Sequence, residues 1–221
     1  LILGNSLRKK TKEAAAKTHL KNAKNKGWEI RTGDIRETKL QAASFDWIIT
    51  DPPYGAEHLG LYDALSEWAE YHLKIGGGCL VMTGQTWLPE VMKRLGKKLQ
   101  YHWMLAYAVP GKAVTVLPRK VAAMWKPILW FQKSPYQGPL IGTDLITSAS
   151  IEKEFHEWQQ SESGMGWIVQ RLTQPGQKIA DPFCGSGTTG IACIRQGREF
   201  FGMDKDKNAS HKAIQRLQAN G

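Results

Sequence analysis

An α/β fold with a mostly parallel sheet is predicted by three observations. Segments with strand character alternate with segments of helical period along most of the chain. A glycine-rich turn, Gly185-Ser186-Gly187-Thr188-Thr189-Gly190, joins one strand to one helix. A proline-stiffened turn, Asp51-Pro52-Pro53-Tyr54, follows an apolar strand. In sheets of this kind the turns after the strands meet at the carboxyl edge, where ligands bind.

The elements follow from local pattern. Residues 7–26 are lysine-rich with almost no apolar face and read as a projecting polar helix that Gly27 ends. Trp28–Arg31 is a short strand, and Phe45–Thr50 is rich in β-formers. Pro52 and Pro53 forbid its continuation. Leu59–Lys74 is an amphipathic helix that Gly76-Gly77-Gly78 closes, and Cys79–Thr83 is a buried strand. Leu88–Leu95 is a short helix. Leu99–Val109 and Ala122–Gln132 are two longer strands with an irregular connection between them. Residues 133–150 show no period and read as a loop. Helix Ser163–Thr173, strand Lys178–Ala180, helix Thr188–Gln196, strand Glu199–Met203 and helix Ala209–Ala219 complete the chain. The expected sheet has seven strands. There is no internal repeat.

Composition narrows the classes. The 221 residues can bury a full core without metal or disulfide staples. The longest apolar run, Trp103–Val109, is too short for a spanning helix, so no membrane association is expected. No signal peptide is evident. Three widely spaced cysteines, Cys79, Cys184 and Cys193, give neither a disulfide framework nor a zinc-ligand spacing. A reducing cytoplasm is the expected compartment, and no metal is expected.

The net charge is +10. It is concentrated in residues 1–26 and 84–126, each with eight basic and one acidic residue. The second block interleaves Trp87, Tyr101, Trp103, Tyr107 and Trp125 with its lysines and arginines. Cations suit phosphates and flat rings suit bases, which favours a polyanion partner over a solvated face.

The glycine turn is a G-x-G-x-x-G at Gly185, Gly187 and Gly190 between strand and helix. Asp204 ends the next strand, 19 residues after Gly185. That is the spacing of a cofactor loop whose carboxylate receives ribose hydroxyls; a ligand-free tight turn is the alternative. A nicotinamide cofactor is disfavoured because only one βα repeat follows the loop.

In the Asp-Pro-Pro-Tyr turn, two prolines fix two φ angles and remove two N–H donors. The acceptors left are the Asp51 carboxylate and the Pro52 carbonyl. They suit a substrate that offers only donors, such as an exocyclic amine, and Tyr54 supplies a ring to stack on a flat base. A rigid turn with a solvated aspartate is the alternative.

Together, DPPYG at 51–55, ADPFCGSGTTG at 180–190 and FFGMDKD at 200–206 resemble the amino-methyltransferases of DNA. These use S-adenosylmethionine to methylate N6 of adenine or N4 of cytosine. The order, DPPY before the glycine loop, resembles the β group, whose Rossmann-like sheet is circularly permuted. The resemblance implies that Asp51, Pro52, Pro53 and Tyr54 are catalytic. It implies that Asp181, Phe183, Gly185 and Gly187 surround the methionine portion of the cofactor, Asp204 its ribose and Asp34 its adenine. Gln160 and Ser161 occupy the remaining cofactor segment, without the Lys-Pro often found there. It further implies that the base is turned out of the duplex, and that methyl transfer is direct, so that Cys184 packs rather than attacks.

Asp at position 51 points to adenine. The expected organisation is a basic helix or linker over 1–27 and a catalytic domain over 28–221, with short insertions near 109–121 and 133–155. Lys112, Arg119 and Lys120 of the first insertion are the expected nucleic-acid contacts. Such short insertions imply relaxed specificity or help from a homodimer partner or a separate specificity domain. Double-stranded DNA is the expected partner, and a bacterium, its mobile elements or a phage the expected setting, with restriction–modification one compatible role. N4-cytosine or RNA methylation and a catalytically silent nucleic-acid module are the alternatives.

Overall fold

The computed structural model describes residues 22–108, 113–136, 138, 142–148 and 162–220. Its strands are β1 (Asn22–Asn25), β2 (Trp28–Thr32), β3 (Phe45–Thr50), β4 (Leu73–Met82), β5 (Gln100–Ala108), β6 (Val114–Val116), β7 (Val121–Ala123), β8 (Trp125–Gln132), β9 (Leu145–Thr147), β10 (Lys178–Asp181) and β11 (Glu199–Asp204). Its helices are α1 (Leu59–His72), α2 (Leu88–Leu95), α3 (Glu162–Leu172), α4 (Thr188–Arg195) and α5 (Lys207–Asn220).

Nine strands form one sheet in the order β1-β2-β11-β10-β3-β4-β8-β5-β9, and β6 and β7 form a separate hairpin. The run from β2 to β4 is parallel throughout. Strand β8 runs antiparallel to both β4 and β5. The sheet is therefore mostly parallel, as expected, with nine strands rather than seven.

The two additional strands lie at the edges. Strand β1 pairs antiparallel with β2 through a turn at Lys26-Gly27, with Gly27 at φ +90°. Gly27 thus turns a hairpin instead of ending a helix, and the last part of the basic segment joins the sheet. The remainder of the helix expected at 7–26 lies outside the described residues. Strand β9 pairs parallel with Ala106–Ala108 of β5, inside the stretch read as a loop.

Two other boundaries differ from expectation. Helix α1 stops at His72, and β4 begins at once with Leu73. The three glycines therefore lie inside a strand. Gly78 must stay small there: a Cβ would come within 2.2 Å of the Trp47 ring on β3. The strand expected at Ala122–Gln132 is divided into β7 and β8.

Alternation along β3 builds the layers. Trp47 and Ile49 face a cluster completed by Ile168 and Val169 of α3, Ile191 of α4 and Ile214 and Leu217 of α5. Ile48, between them, faces Leu65 and Trp68 of α1 and Val91 and Leu95 of α2. Successive side chains on a strand point to opposite faces, so one strand serves both layers. Burying large side chains on both faces at about 1.5–3 kcal/mol each is the main stabilising contribution. The helices leave the carboxyl edge of the parallel strands open.

Candidate active site

A cavity of about 610 Å³ opens at that edge. Four strand ends contribute. Gly33, Asp34 and Ile35 follow β2, and Asp51 to Tyr54 follow β3. Pro182, Phe183 and Gly185 follow β10, and Asp204 and Lys205 lie at the end of β11. Leu61 of α1 and Lys126 of β8 close one side.

The β3 and β10 turns are joined beneath the cavity by one buried carboxylate. Asp181 accepts hydrogen bonds from Thr50 Oγ1 at 2.7 Å, Thr189 Oγ1 at 2.7 Å and the Phe183 N–H at 3.1 Å. It is 3% exposed. Burial pushes its carboxyl up to about 7 against the opposing effect of these donors. Thr50 immediately precedes Asp51, so Asp181 sets the relative position of the two turns.

At the Asp51–Tyr54 turn the Tyr54 hydroxyl donates to Asp51 Oδ1. Lys126 Nζ lies 3.4 Å from the same hydroxyl and 5.2 Å from the centroid of the Tyr54 ring. Burial, reinforced by the Asp51 carboxylate, raises the Tyr54 phenol well above its usual range, so it remains a proton donor. Tyr62, behind it, is pushed up to about 12, chiefly by burial, and shares a hydrogen bond with Thr83 Oγ1 at 3.1 Å.

On the opposite wall Asp204 Oδ2 accepts the Gly185 N–H and Oδ1 accepts the Asp206 N–H, both at 2.9 Å. Each carboxylate oxygen has a second lone pair, so the group can still receive hydroxyls. Burial raises its pKa. The Gly33 N–H donates to the Asp204 carbonyl at 3.0 Å, which locks the β2 turn to the β11 turn. Asp34 is clamped by Arg36 through two side-chain contacts and one backbone N–H. The guanidinium holds its carboxyl at about 2.

The glycines of the loop divide the work. Gly185 borders the cavity with open space where a Cβ would stand. Gly187, at φ +82°, is the residue before α4, and a Cβ there would lie 3.1 Å from Ala213 of α5. At Gly190 a Cβ would come within 2.6 Å of the Phe200 ring. Only the first glycine faces the cavity; the other two let α4 pack closely.

Of the residues singled out from sequence, Asp34, Asp51, Pro52, Pro53, Tyr54, Phe183, Gly185 and Asp204 come together as lining. Asp181 and Gly187 are not among the lining residues: one is consumed by internal hydrogen bonds and the other by helix packing. Gln160, Ser161 and Lys112 lie outside the described residues. Arg119 and Lys120 are exposed on the β6–β7 hairpin and do not line the cavity. Cys184 is buried, which raises its thiol well above the usual range and fits a packing role. Lys126 carried no local signal, because only the pairing of β8 with β4 brings it to this edge. Lys205 was findable as the neighbour of Asp204.

The donor set fits S-adenosylmethionine. Asp34, Asp51 and Asp204 share the lining with Lys126 and Lys205, a mixed-charge cavity suited to a ligand that carries both cationic and anionic groups, and Asp204 retains acceptor capacity for a diol. The apolar walls of Ile35, Leu61 and Phe183 suit a flat ring.

Comparison with known proteins agrees with this geometry. A family model described as DNA methylase matches residues 147–215, and an RMKL-like methyltransferase domain model matches residues 6–107. Type II methyltransferase M2.DpnII of Streptococcus pneumoniae is 24% identical over 82% of this chain and 85% of its own. DNA adenine methyltransferase YhdJ of Escherichia coli is 24% identical over 81% of this chain and 78% of its own. The solved PvuII DNA methyltransferase, described as cytosine-N4-specific, superposes with a TM-score of 0.74 at 17% identity over 86% of both chains. The M1.HpyAVI–SAM complex gives 0.69 at 23% identity over 86% of this chain and all of the other. The chain is thus similar to S-adenosylmethionine-dependent DNA methyltransferases over most of its length and has their fold.

Among the described residues no helix is long and apolar enough to cross a membrane.

Proposed function

We propose that this chain transfers a methyl group from S-adenosylmethionine to the exocyclic N6 amine of adenine in double-stranded DNA. The observation that carries this reading is the acceptor-only turn at Asp51-Pro52, with Tyr54 beside it on the cavity wall.

When bound, the cofactor supplies an electrophilic methyl on a sulfonium. The chain's own residues present the nucleophile. Asp51 and the Pro52 carbonyl accept the two amine hydrogens of an extruded base, which draws the nitrogen lone pair out of ring conjugation. The phenol of Tyr54 remains protonated and yields its place on Asp51 Oδ1 to the amine, while its ring faces the base. After transfer the nitrogen carries an extra proton, and the adjacent Asp51 carboxylate is the group placed to accept it. Positioning and fixed charge account for most of such an acceleration. Asp204 would hold the ribose and Asp34 would stand at the adenine, with Phe183 and Gly185 between them.

Adenine is favoured by the aspartate at 51 and by a relative named as a DNA adenine methyltransferase. N4 of cytosine is the second reading, favoured by the cytosine-N4-specific structural neighbour. The short insertions fit either a homodimer or a separate specificity subunit, and the family fits a cytoplasmic site of action. The test is one reaction with methyl-labelled cofactor and unmethylated duplex DNA, read by nucleoside mass spectrometry. N6-methyladenine is expected. N4-methylcytosine would replace the base assignment, and no product with cofactor bound would overturn the DNA reading.

A further inference from the structure

The hairpin of β6 and β7 is left without a role by the site described above. It stands apart from the main sheet, with Val114 opposite Ala123 and Val116 opposite Val121. Its tip is the turn Leu117–Arg119, closed by Lys120 in the left-handed conformation at φ +51°. A two-stranded ribbon with no covering layer is marginal in water, yet this one presents its apolar residues outward. Leu117 is 77% exposed, and Val114, Val121 and Met124 are also exposed. Arg119 and Lys120 are exposed beside Leu117.

The register fixes where the hairpin stands. Strand β8 is antiparallel to β4, with Ile128 opposite Met82, so its first residues extend past the carboxyl end of β4. Trp125 pairs with Ala108 at the end of β5. The chain thus leaves for the hairpin, and returns from it, at the edge that carries the cavity. Lys126, next to Trp125, lines that cavity.

A bulky apolar tip with two cations beside it matches a surface with stacked apolar layers behind rows of phosphates. Proteins that open base steps insert such side chains between them. Removing a base from a duplex also leaves a gap that something must fill. We propose that Leu117 is a wedge that enters the base stack beside the target nucleotide, with Arg119 and Lys120 on the flanking phosphates. This rests on the reading of the chain as a DNA amino-methyltransferase.

A single strand needs no opening, which gives the test. Leu117→Ala and the wild type are compared on a duplex and on the same DNA as single strands. The expected result is a fall in kcat/KM of about tenfold or more on the duplex and no change on the single strand. Leu117→Phe, which keeps a large apolar tip, should retain duplex activity. With 2-aminopurine at the methylated position, binding of the wild type should raise fluorescence and binding of Leu117→Ala should not. Leu117 is exposed, so an unaltered melting temperature and cofactor affinity are expected. Equal loss on both substrates, or no loss on the duplex, would overturn the wedge. Methylation of single strands alone by the wild type would also overturn it while leaving the chemistry intact. Absence of methylation on both, with cofactor bound, would count against the proposed function instead, and the 2-aminopurine signal would still decide the wedge.

Discussion

Thr50 Oγ1 donates to Asp181 Oδ1 at 2.7 Å across the boundary between β3 and β10. The two residues are 131 positions apart in the chain, yet this contact aligns the Asp51–Tyr54 turn with the Pro182–Gly185 turn on the cavity wall. Burial holds the Asp181 carboxyl near 7, against an ordinary value of 3.8. Between those values the folded state keeps a proton that the unfolded chain has released. Stability from this group is therefore present at acid pH and lost as the pH rises through about 7, by at most on the order of 4 kcal/mol. Asp181→Asn should flatten the dependence of unfolding free energy on pH between 4 and 7. Denaturant titrations at pH 5, 6, 7 and 8 check this, and an unchanged slope in the variant would remove Asp181 as its source. Asp204 shifts in the same direction and leaves a residual slope.

Asp51→Ala should lower methyl transfer by about 10²–10³-fold or more, the usual cost of removing a fixed electrostatic group at a reacting centre. Cofactor affinity, measured by calorimetry, should stay within a few-fold of wild type. Full activity in the variant would remove the acceptor role.

Asp204→Ala should weaken S-adenosylmethionine binding by about 1.5–3 kcal/mol, the worth of hydrogen bonds to a charged group. It also deprives the Gly185 and Asp206 N–H groups of their acceptor. An unchanged dissociation constant would take Asp204 out of the cofactor site.

Lys126→Met keeps the length of the side chain and removes the charge beside the Tyr54 ring and hydroxyl. The expected result is a raised KM for DNA with cofactor affinity intact. A double-mutant cycle with Tyr54→Phe should show non-additive effects, because both changes break the same contact. Additivity would place the action of Lys126 elsewhere.

Gly190→Ala should destabilise the fold by about 1–3 kcal/mol through overpacking against Phe200, with little change in cofactor affinity once folded. Thermal melting and calorimetry separate the two effects.

The seven central strands were legible in the sequence because each combines β-forming residues with a clear breaker. Asn22–Asn25 has no apolar alternation, and Leu145–Thr147 spans three residues; both become strands only because a neighbour offers an edge. The Gly76–Gly78 run was misleading for a related reason: the ring of Trp47, distant in sequence, demands the missing Cβ. The site shows the same division. Asp51, Tyr54, Gly185 and Asp204 stand in local motifs whose spacing carries meaning. Asp181 and Gly187 stand in the same motifs but are spent on internal hydrogen bonding and helix packing, a difference that spacing does not encode. Lys126, Thr50 and Thr189 act through tertiary contacts alone.

The strand order has a consequence for how the chain acquires its structure during synthesis. Strand β10 fills the gap between β3 and β11, and β2 meets the sheet only through β11. The ribosome therefore releases β2 and β3 long before their shared neighbours exist. Until residues 178–204 emerge, no strand pairing among the described residues joins the β1–β2 hairpin to the β3-β4-β8-β5 block. Such non-local closure is slow and leaves strand edges bare in the interim. It also makes the segment that carries β10 and β11 a natural keystone. A chain divided at the Pro175-Gly176 turn should yield two fragments, neither of which forms the complete sheet and which regain the fold when mixed.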